Sequence, residues 1–215
     1  MKIRSHSIAL CTMLLFGTVA FQGGCASTGM ERSVKTSNSI HEVDKEIRKF
    51  IVQVDATGAS LDALVIPGQS NVKKSFNNYS DQLEKLDKEG NRVLKRLEEM
   101  KTQSKEYFAE WEKQGDSYTN PEIRMLSDER RNKLAEIYAQ VPAAGVGIKG
   151  AYLAYLTDLK EIEKYLSNDL TPQGVESITP VAKKTVQDLE VLKTSLQPVI
   201  VALDGIKAEL YTGKK

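Results

Sequence analysis

Residues 72–111 read VKKSFNNYSDQLEKLDKEGNRVLKRLEEMKTQSKEYFAEW, and this stretch decides the fold. Val72, Phe76, Tyr79, Leu83, Leu86, Gly90, Val93, Leu97, Met100, Ser104, Tyr107 and Trp111 follow one another at steps of three or four without a slip. That alternation is the 3.5-residue period of a helix burying one seam against another helix; a half-buried strand would repeat every second residue. The intervening positions are mostly Lys, Glu, Asp and Asn, as a solvated face requires. Roughly 45 helical residues at 1.5 Å each make a rod of about 65 Å, which needs partners of similar length. Gly90 and Ser104 are small residues on the seam, where a partner can come close.

Three further stretches supply such partners. Upstream, Ile40, Val43, Ile47, Phe50, Val54, Leu61 and Leu64 keep the same spacing, and Ser39 with Glu42 three residues on has the form of a capping box. Ile66-Pro67-Gly68 stops that helix at about 26 residues. Downstream, Gln114-Gly115-Asp116-Ser117 and Thr119-Asn120-Pro121 mark a turn, with Asn120 as cap and Pro121 at the first helical position. A third helix then runs from Pro121 to Ser167 through Ile123, Leu126, Leu134, Ile137, Val141, Ile148, Leu159, Ile162 and Leu166. After a turn at Asn168–Pro172, a fourth seam carries Ile178, Ala182, Thr185, Leu189, Leu192, Leu196, Val199, Leu203, Ile206 and Leu210. Pro180 and Pro198 lie inside it, and each removes an intrahelical hydrogen bond, so bends or a later start near Pro180 are expected. Short connections between long amphipathic helices favour antiparallel neighbours. The fold class is therefore all-α, a long antiparallel up-down-up-down bundle of four helices. A first helix of only 26 residues leaves part of the seam open, to be shielded by a three-helix portion or by a second molecule, another copy or a protein partner.

The first 24 residues have a different character. Lys2 and Arg4 precede an apolar run, Ser7 to Phe21, shorter than the roughly 20 residues that span a bilayer, and Gln22-Gly23-Gly24-Cys25 follows. The organisation expected is a signal peptide over 1–24, a lipidated N-terminus and flexible tether over 25–38, the bundle over 39–212 and a short tail over 213–215. Cys25 in that setting resembles the lipobox of bacterial lipoproteins, where the cysteine takes the lipid; Gln22 stands where an aliphatic residue is usual. The resemblance implies a cell-envelope protein held in a membrane by its N-terminal lipid. Ala26 after the cysteine favours the outer membrane, facing the periplasm.

Composition excludes several function classes. Lys and Arg number 30 against 29 Asp and Glu. Loss of Lys2 and Arg4 with the leading segment leaves a net charge near −1, without the clustered positive charge that nucleic acid demands. Of the two cysteines, Cys11 lies in the leading segment and Cys25 would be acylated, so no disulfide staples the domain. His41 is the one histidine beyond the leading segment, so no His-rich metal site is possible, and no Ser-His-Asp set is expected around it. Asp81, Glu84, Asp87, Glu98 and Glu99 alternate with lysines and read as a solvated, ion-paired face. Gly145, Gly147 and Gly150 follow no strand and make no nucleotide-binding loop. No enzyme activity, cofactor or small-molecule substrate is called for.

Two features remain as candidate sites. Tyr107, Phe108, Trp111 and Tyr118 cluster beside the second turn, as a partner-binding patch or as a plug closing the bundle. Ala135, Ala139, Ala143, Gly147 and Ala151 recur every fourth residue, a stripe of small side chains suited to close helix packing. The surrounding segment 141–156, rich in Gly and Ala, is alternatively a membrane-active, pore-forming-like element, although Lys149 sits in its middle.

Tyr107-Phe108-Ala109-Glu110-Trp111-Glu112, then Tyr118, then the junction Leu166-Ser167-Asn168-Asp169-Leu170 between two long helices, are similar to a family of bacterial lipoproteins, the domain of unknown function numbered 2959. The resemblance covers most of residues 70–212. It implies a helical, lipobox-bearing protein and assigns no activity and no functional residue. Pro142 and the Gly-rich stretch depart from that family's pattern.

Overall fold

A computed structural model describes residues 29–211. The expectations placed on the leading segment, on Cys25 and on the tail after Tyr211 lie outside the described residues.

Four helices follow one another: α1 (Gly29–Leu64), α2 (Val72–Gly115), α3 (Pro121–Asn168) and α4 (Pro172–Tyr211). Side-chain pairs fix their directions. Gln53 of α1 donates to the Gln82 carbonyl of α2 at 3.1 Å, and Arg32 donates to Gln114 at 2.7 Å, so the later part of α1 meets the earlier part of α2. Tyr79 donates to the Leu159 carbonyl and Trp111 to the Ser127 hydroxyl, which sets α2 against α3 in the opposite sense. Arg130 pairs with Glu209 across α3 and α4. Lys207 reaches Asp44 and Lys193 reaches Asp55, each at 3.1 Å, closing α4 back onto α1. Every neighbouring pair is antiparallel, as an up-down-up-down bundle requires. At 1.5 Å per residue the 44 residues of α2 span about 66 Å.

Local chemistry explains the helix ends. The Asn71 side chain accepts from the Lys74 amide at 3.0 Å, and Asn120 accepts from the Glu122 amide at 2.9 Å ahead of Pro121. The Thr171 hydroxyl accepts from the Gly174 amide at 3.1 Å while the Asp169 carboxylate accepts from Thr171, so α4 begins at Pro172 and not near Pro180. A Cβ on Gly174 would lie 2.3 Å from the Asp169 carbonyl oxygen, so this tight entry requires glycine. Gly68, at φ 71°, is the one described residue with positive φ and lets the chain reverse after α1. Pro180 and Pro198 stay within α4, their rings on the exposed side.

The core is the four seams brought together. Ile40, Val43, Ile47, Phe50, Val54, Leu61 and Leu64 of α1 are buried, as are Tyr79 to Met100 on the α2 seam and Leu189 to Ile206 on α4. Burial of each such aliphatic side chain contributes about 1.5–3 kcal/mol against the chain's conformational entropy. On α3 the pattern departs from expectation at one end: Ile123 and Leu126 are exposed, and Tyr138, Tyr152 and Tyr155 take core positions instead.

The first helix corrects the expected organisation. It starts at Gly29, ten residues before Ser39, and its 36 residues extend through most of the presumed tether. Thr36 is buried there and donates to the Arg32 carbonyl, and Arg32 reaches Gln114 at the far end of α2. Residues 29–38 lack an apolar stripe, but α2 offers them a surface to lie along, and tertiary contact outweighs weak local patterning. Ser39 is an interior helical residue, not a cap. With α1 this long the hairpin seam is covered within one chain, and the argument for a second copy along it loses its premise.

Candidate functional site

The topology gives the rod two unlike ends. One, the one-turn end, gathers the start of α1, the α2–α3 turn and the end of α4. The other, the two-turn end, carries the α1–α2 and α3–α4 turns.

At the one-turn end, the Tyr107, Phe108 and Trp111 rings pack edge to face at centroid separations of 5.1 and 5.6 Å about Tyr107. Phe108 meets Tyr138 of α3 at 5.4 Å, and Trp111 Nε1 donates to Ser127 Oγ at 2.9 Å. These three rings are half-buried and form the plug that closes the bundle. Tyr118 stands apart from them, exposed in the turn, so the four residues do not form one patch. Beyond the plug, α3 continues past the level at which Arg130 and Lys133 meet Glu209. Its first two turns expose Ile123, Met125 and Leu126.

The small-residue stripe is not a close helix contact. Ala135 and Ala151 are half-buried, whereas Ala139, Ala143 and Gly147 are exposed, and a Cβ on Gly147 would meet no atom within 4 Å. A repeat of four drifts around a 3.6-residue helix, so a stripe this long cannot stay on one packing face. The close approaches lie elsewhere. A Cβ on Gly90 would sit 2.3 Å from the Tyr152 ring, and one on Gly58 would sit 2.4 Å from Leu189 Cδ1. Ala135, Ala139 and Pro142 instead border an apolar groove of about 250 Å³ with Met100 and Phe108. Segment 141–156 itself places Val141, Ile148, Tyr152, Tyr155 and Leu156 in the core, so its entry into lipid would require opening the bundle. No helix among the described residues is long and apolar enough to cross a membrane.

Several charged residues do more than solvate the surface. Asp87 accepts from Lys160 at 2.5 Å and from the Tyr152 hydroxyl at 3.2 Å, joining α2 to α3. The Lys160 ammonium holds the Asp87 carboxyl below its ordinary range, against a smaller opposing effect of burial. Asp44 is 8% exposed; burial pushes its carboxyl up, but hydrogen bonds from Arg48 and Lys207 outweigh that and leave it lowered. Glu46, also buried, lies 3.5 Å from Arg92 of α2. Burial pushes the Tyr79, Tyr152 and Tyr155 phenols well above their usual range. The sequence signal for Asp44 and Glu46 was present but unread: both fall beside the α1 seam, next to Val43 and Ile47. His41 is exposed, and no three His, Cys, Asp or Glu residues gather as a metal site among the described residues.

At the two-turn end, Val65, Ile66, Pro67, Val72, Pro172 and Val175 line a cleft of about 650 Å³. It lies between the two connections, bounded by Gln69, Glu176 and Thr179. The sequence pattern places Ile66, Pro67 and Pro172 in turns and Val72 on the α2 seam, with no sign that they share a cleft.

Fold and surfaces define a four-helix bundle domain with distinct ends and a closed core. The chain belongs to the family described as Protein of unknown function (DUF2959), whose model matches residues 30–206. That match begins at the start of α1 and ends within the last two turns of α4, so the family domain is the whole bundle, the added turns of α1 included. No curated protein and no solved structure matches the chain.

Proposed function

We propose that the protein is a lipid-anchored spacer of the bacterial cell envelope, a non-catalytic bundle that holds a protein-binding end away from the membrane. The observation that carries this reading is positional. The α1 helix begins at Gly29, four residues after Cys25, at the one-turn end, while the two-turn end with its apolar cleft lies about 60 Å away along the rod. The leading segment, with its basic start, apolar run and Gly23-Gly24-Cys25, supports export and acylation. Ala26 supports an outer-membrane address facing the periplasm. The scaffold role is supported by balanced charge, a closed core and phenols and carboxylates engaged in structure. A protein partner would meet the two-turn end, where the exposed Ile66 stands beside a cleft with a polar rim.

Cys25→Ser tests the anchor. The parent chain is expected in the membrane fraction and the variant in the soluble periplasmic fraction. A parent chain that never fractionates with membranes refutes the reading.

A further inference from the structure

The exposed apolar side chains at the one-turn end are not covered by any other helix among the described residues. Tyr118 is 40% exposed, Ile123 48%, Met125 54% and Leu126 57%. Ile123 and Leu126 continue the face of α3 on which Arg130 meets α4, but they lie beyond the described end of α4. Tyr118 and Met125 border one hollow at the tip with Pro121, and Ile123 and Leu126 lie one turn apart on α3. Isolated exposed aliphatics are ordinary, but such groups gathered at one end and rimmed by polar residues mark an interaction surface.

Chain geometry selects the occupant. From Cys25 to Gly29 is four residues, at most about 14 Å when extended. The Arg32–Gln114 hydrogen bond sets the start of α1 level with the α2–α3 turn. A lipid on Cys25 therefore brings this patch to the headgroup layer and leaves the rest of the rod free to stand away from it. We propose that the one-turn end is a membrane-docking surface, with Tyr118, Ile123, Met125 and Leu126 entering the interface of the bilayer that holds the anchor. This rests on acylation of Cys25. Tyrosine beside aliphatic residues suits the interfacial layer, where an amphipathic ring keeps its hydroxyl in water. Charge around the patch is mixed: Lys113, Arg124, Arg130 and Arg131 stand among Glu112, Asp116, Glu122, Asp128 and Glu129. The docking therefore depends on apolar contact, not on anionic lipid, and is only weakly sensitive to salt.

The chain has one tryptophan, Trp111, so Trp111→Phe provides a silent background. In it, Leu126→Trp reports on the one-turn end and Ile66→Trp, at an exposed position of the opposite end, on the other. Full-length acylated protein purified from membranes is reconstituted into phosphatidylcholine vesicles containing lipid brominated near the headgroup. The vesicles are then floated, and tryptophan fluorescence is read. Floated protein is expected to show quenching at Leu126→Trp at least roughly threefold stronger than at Ile66→Trp, because only the former lies within the few-ångström interfacial layer. Adding Ile123→Glu to the Leu126→Trp protein is expected to abolish most of that difference while flotation persists. Flotation with equal quenching at the two ends overturns the docking surface and leaves the anchor standing. Failure to float overturns both.

Discussion

Replacing Gly90 with alanine pits helix propensity against packing at one well-defined contact. Taken alone, Gly→Ala in a helix interior is stabilising by about 1 kcal/mol. At Gly90 the new methyl would lie 2.3 Å from Cε2 and Cζ of Tyr152 and 2.6 Å from its hydroxyl oxygen. Carbon atoms in contact rest at about 3.5–4.0 Å, so the ring must retreat by more than about 1 Å. It has little room. Tyr152 is buried, its edge meets Phe50 of α1 with centroids 5.5 Å apart, and its hydroxyl reaches Asp87 at 3.2 Å. Overpacking of this kind costs about 1–3 kcal/mol, and a weakened aromatic pair and hydrogen bond add roughly 1 kcal/mol each. Packing outweighs propensity, and Gly90→Ala is expected to destabilise the bundle by about 2–4 kcal/mol. Urea unfolding followed by helical circular dichroism measures it, with the slope required to match the parent. Gly147→Ala, facing open space on α3, is expected to shift the midpoint the other way by up to about 1 kcal/mol. In a Tyr152→Leu background Gly90→Ala should become neutral or stabilising. A Gly90→Ala chain as stable as the Gly147→Ala chain would refute the reasoning.

Other expectations concern caps and charges. Thr171→Ala removes the hydroxyl that accepts from the Gly174 amide and should cost about 1 kcal/mol in the same unfolding assay; Thr171→Ser should recover most of it. Asp44 and Asp87 have folded-state carboxyls held below the ordinary value of 3.8, so their stabilisation is in place above that value and is lost as pH falls through the lowered ones. The urea midpoint should therefore fall on acidification below about pH 4. In Lys160→Met the Asp87 carboxyl loses its main support, and its NMR titration should move to higher pH; an unmoved titration would sever Asp87 from Lys160.

The bundle was legible because its signal is repetitive. Residues 72–111 state the helical period a dozen times, and each repetition constrains the same conclusion. Ile66-Pro67-Gly68 and Asn120-Pro121 punctuate it with residues whose backbone preferences are strong. The start of α1 was not legible, because residues 29–38 have no apolar stripe and Ser39 with Glu42 imitates a cap; what makes that segment helical is the α2 surface against which it lies. Ile123 and Leu126 fit the seam by spacing, yet α4 does not reach them in the described structure. Whether a seam position is buried depends on the length of the partner helix, which local pattern does not encode. The small-residue stripe failed for a related reason: similarity at every fourth position is not the same as one face. Anchor and candidate ends differ in kind. Cys25 is readable as a motif, whereas the cleft of Val65, Ile66 and Val175 exists only once two turns far apart in sequence are brought together.

Register is the remaining problem that such a chain must solve. With apolar residues every 3.5 positions, sliding one helix by seven residues past its neighbour would return Leu and Val to apolar surroundings and alter the buried area little. Seams alone therefore specify a bundle without fixing which turn meets which. Unique features break the degeneracy. The Gly90 hollow accepts the Tyr152 ring at one level only, and Gly58 accepts Leu189 at another. Between them they fix α2 against α3 and α1 against α4. Charge pairs repeat the instruction on the outside: Lys160 with Asp87, Lys193 with Asp55, Lys207 with Asp44. A seven-residue slip would part Lys160 from Asp87 and Lys207 from Asp44, and in one direction would set Lys193 against Arg48. The register they select also settles the position of the two ends. A slip of α1 by seven residues would move its start by about 10 Å relative to Tyr118 and Leu126. The residues that set the register in the middle of the rod thereby determine how the start of α1 stands against the exposed apolar end of α3.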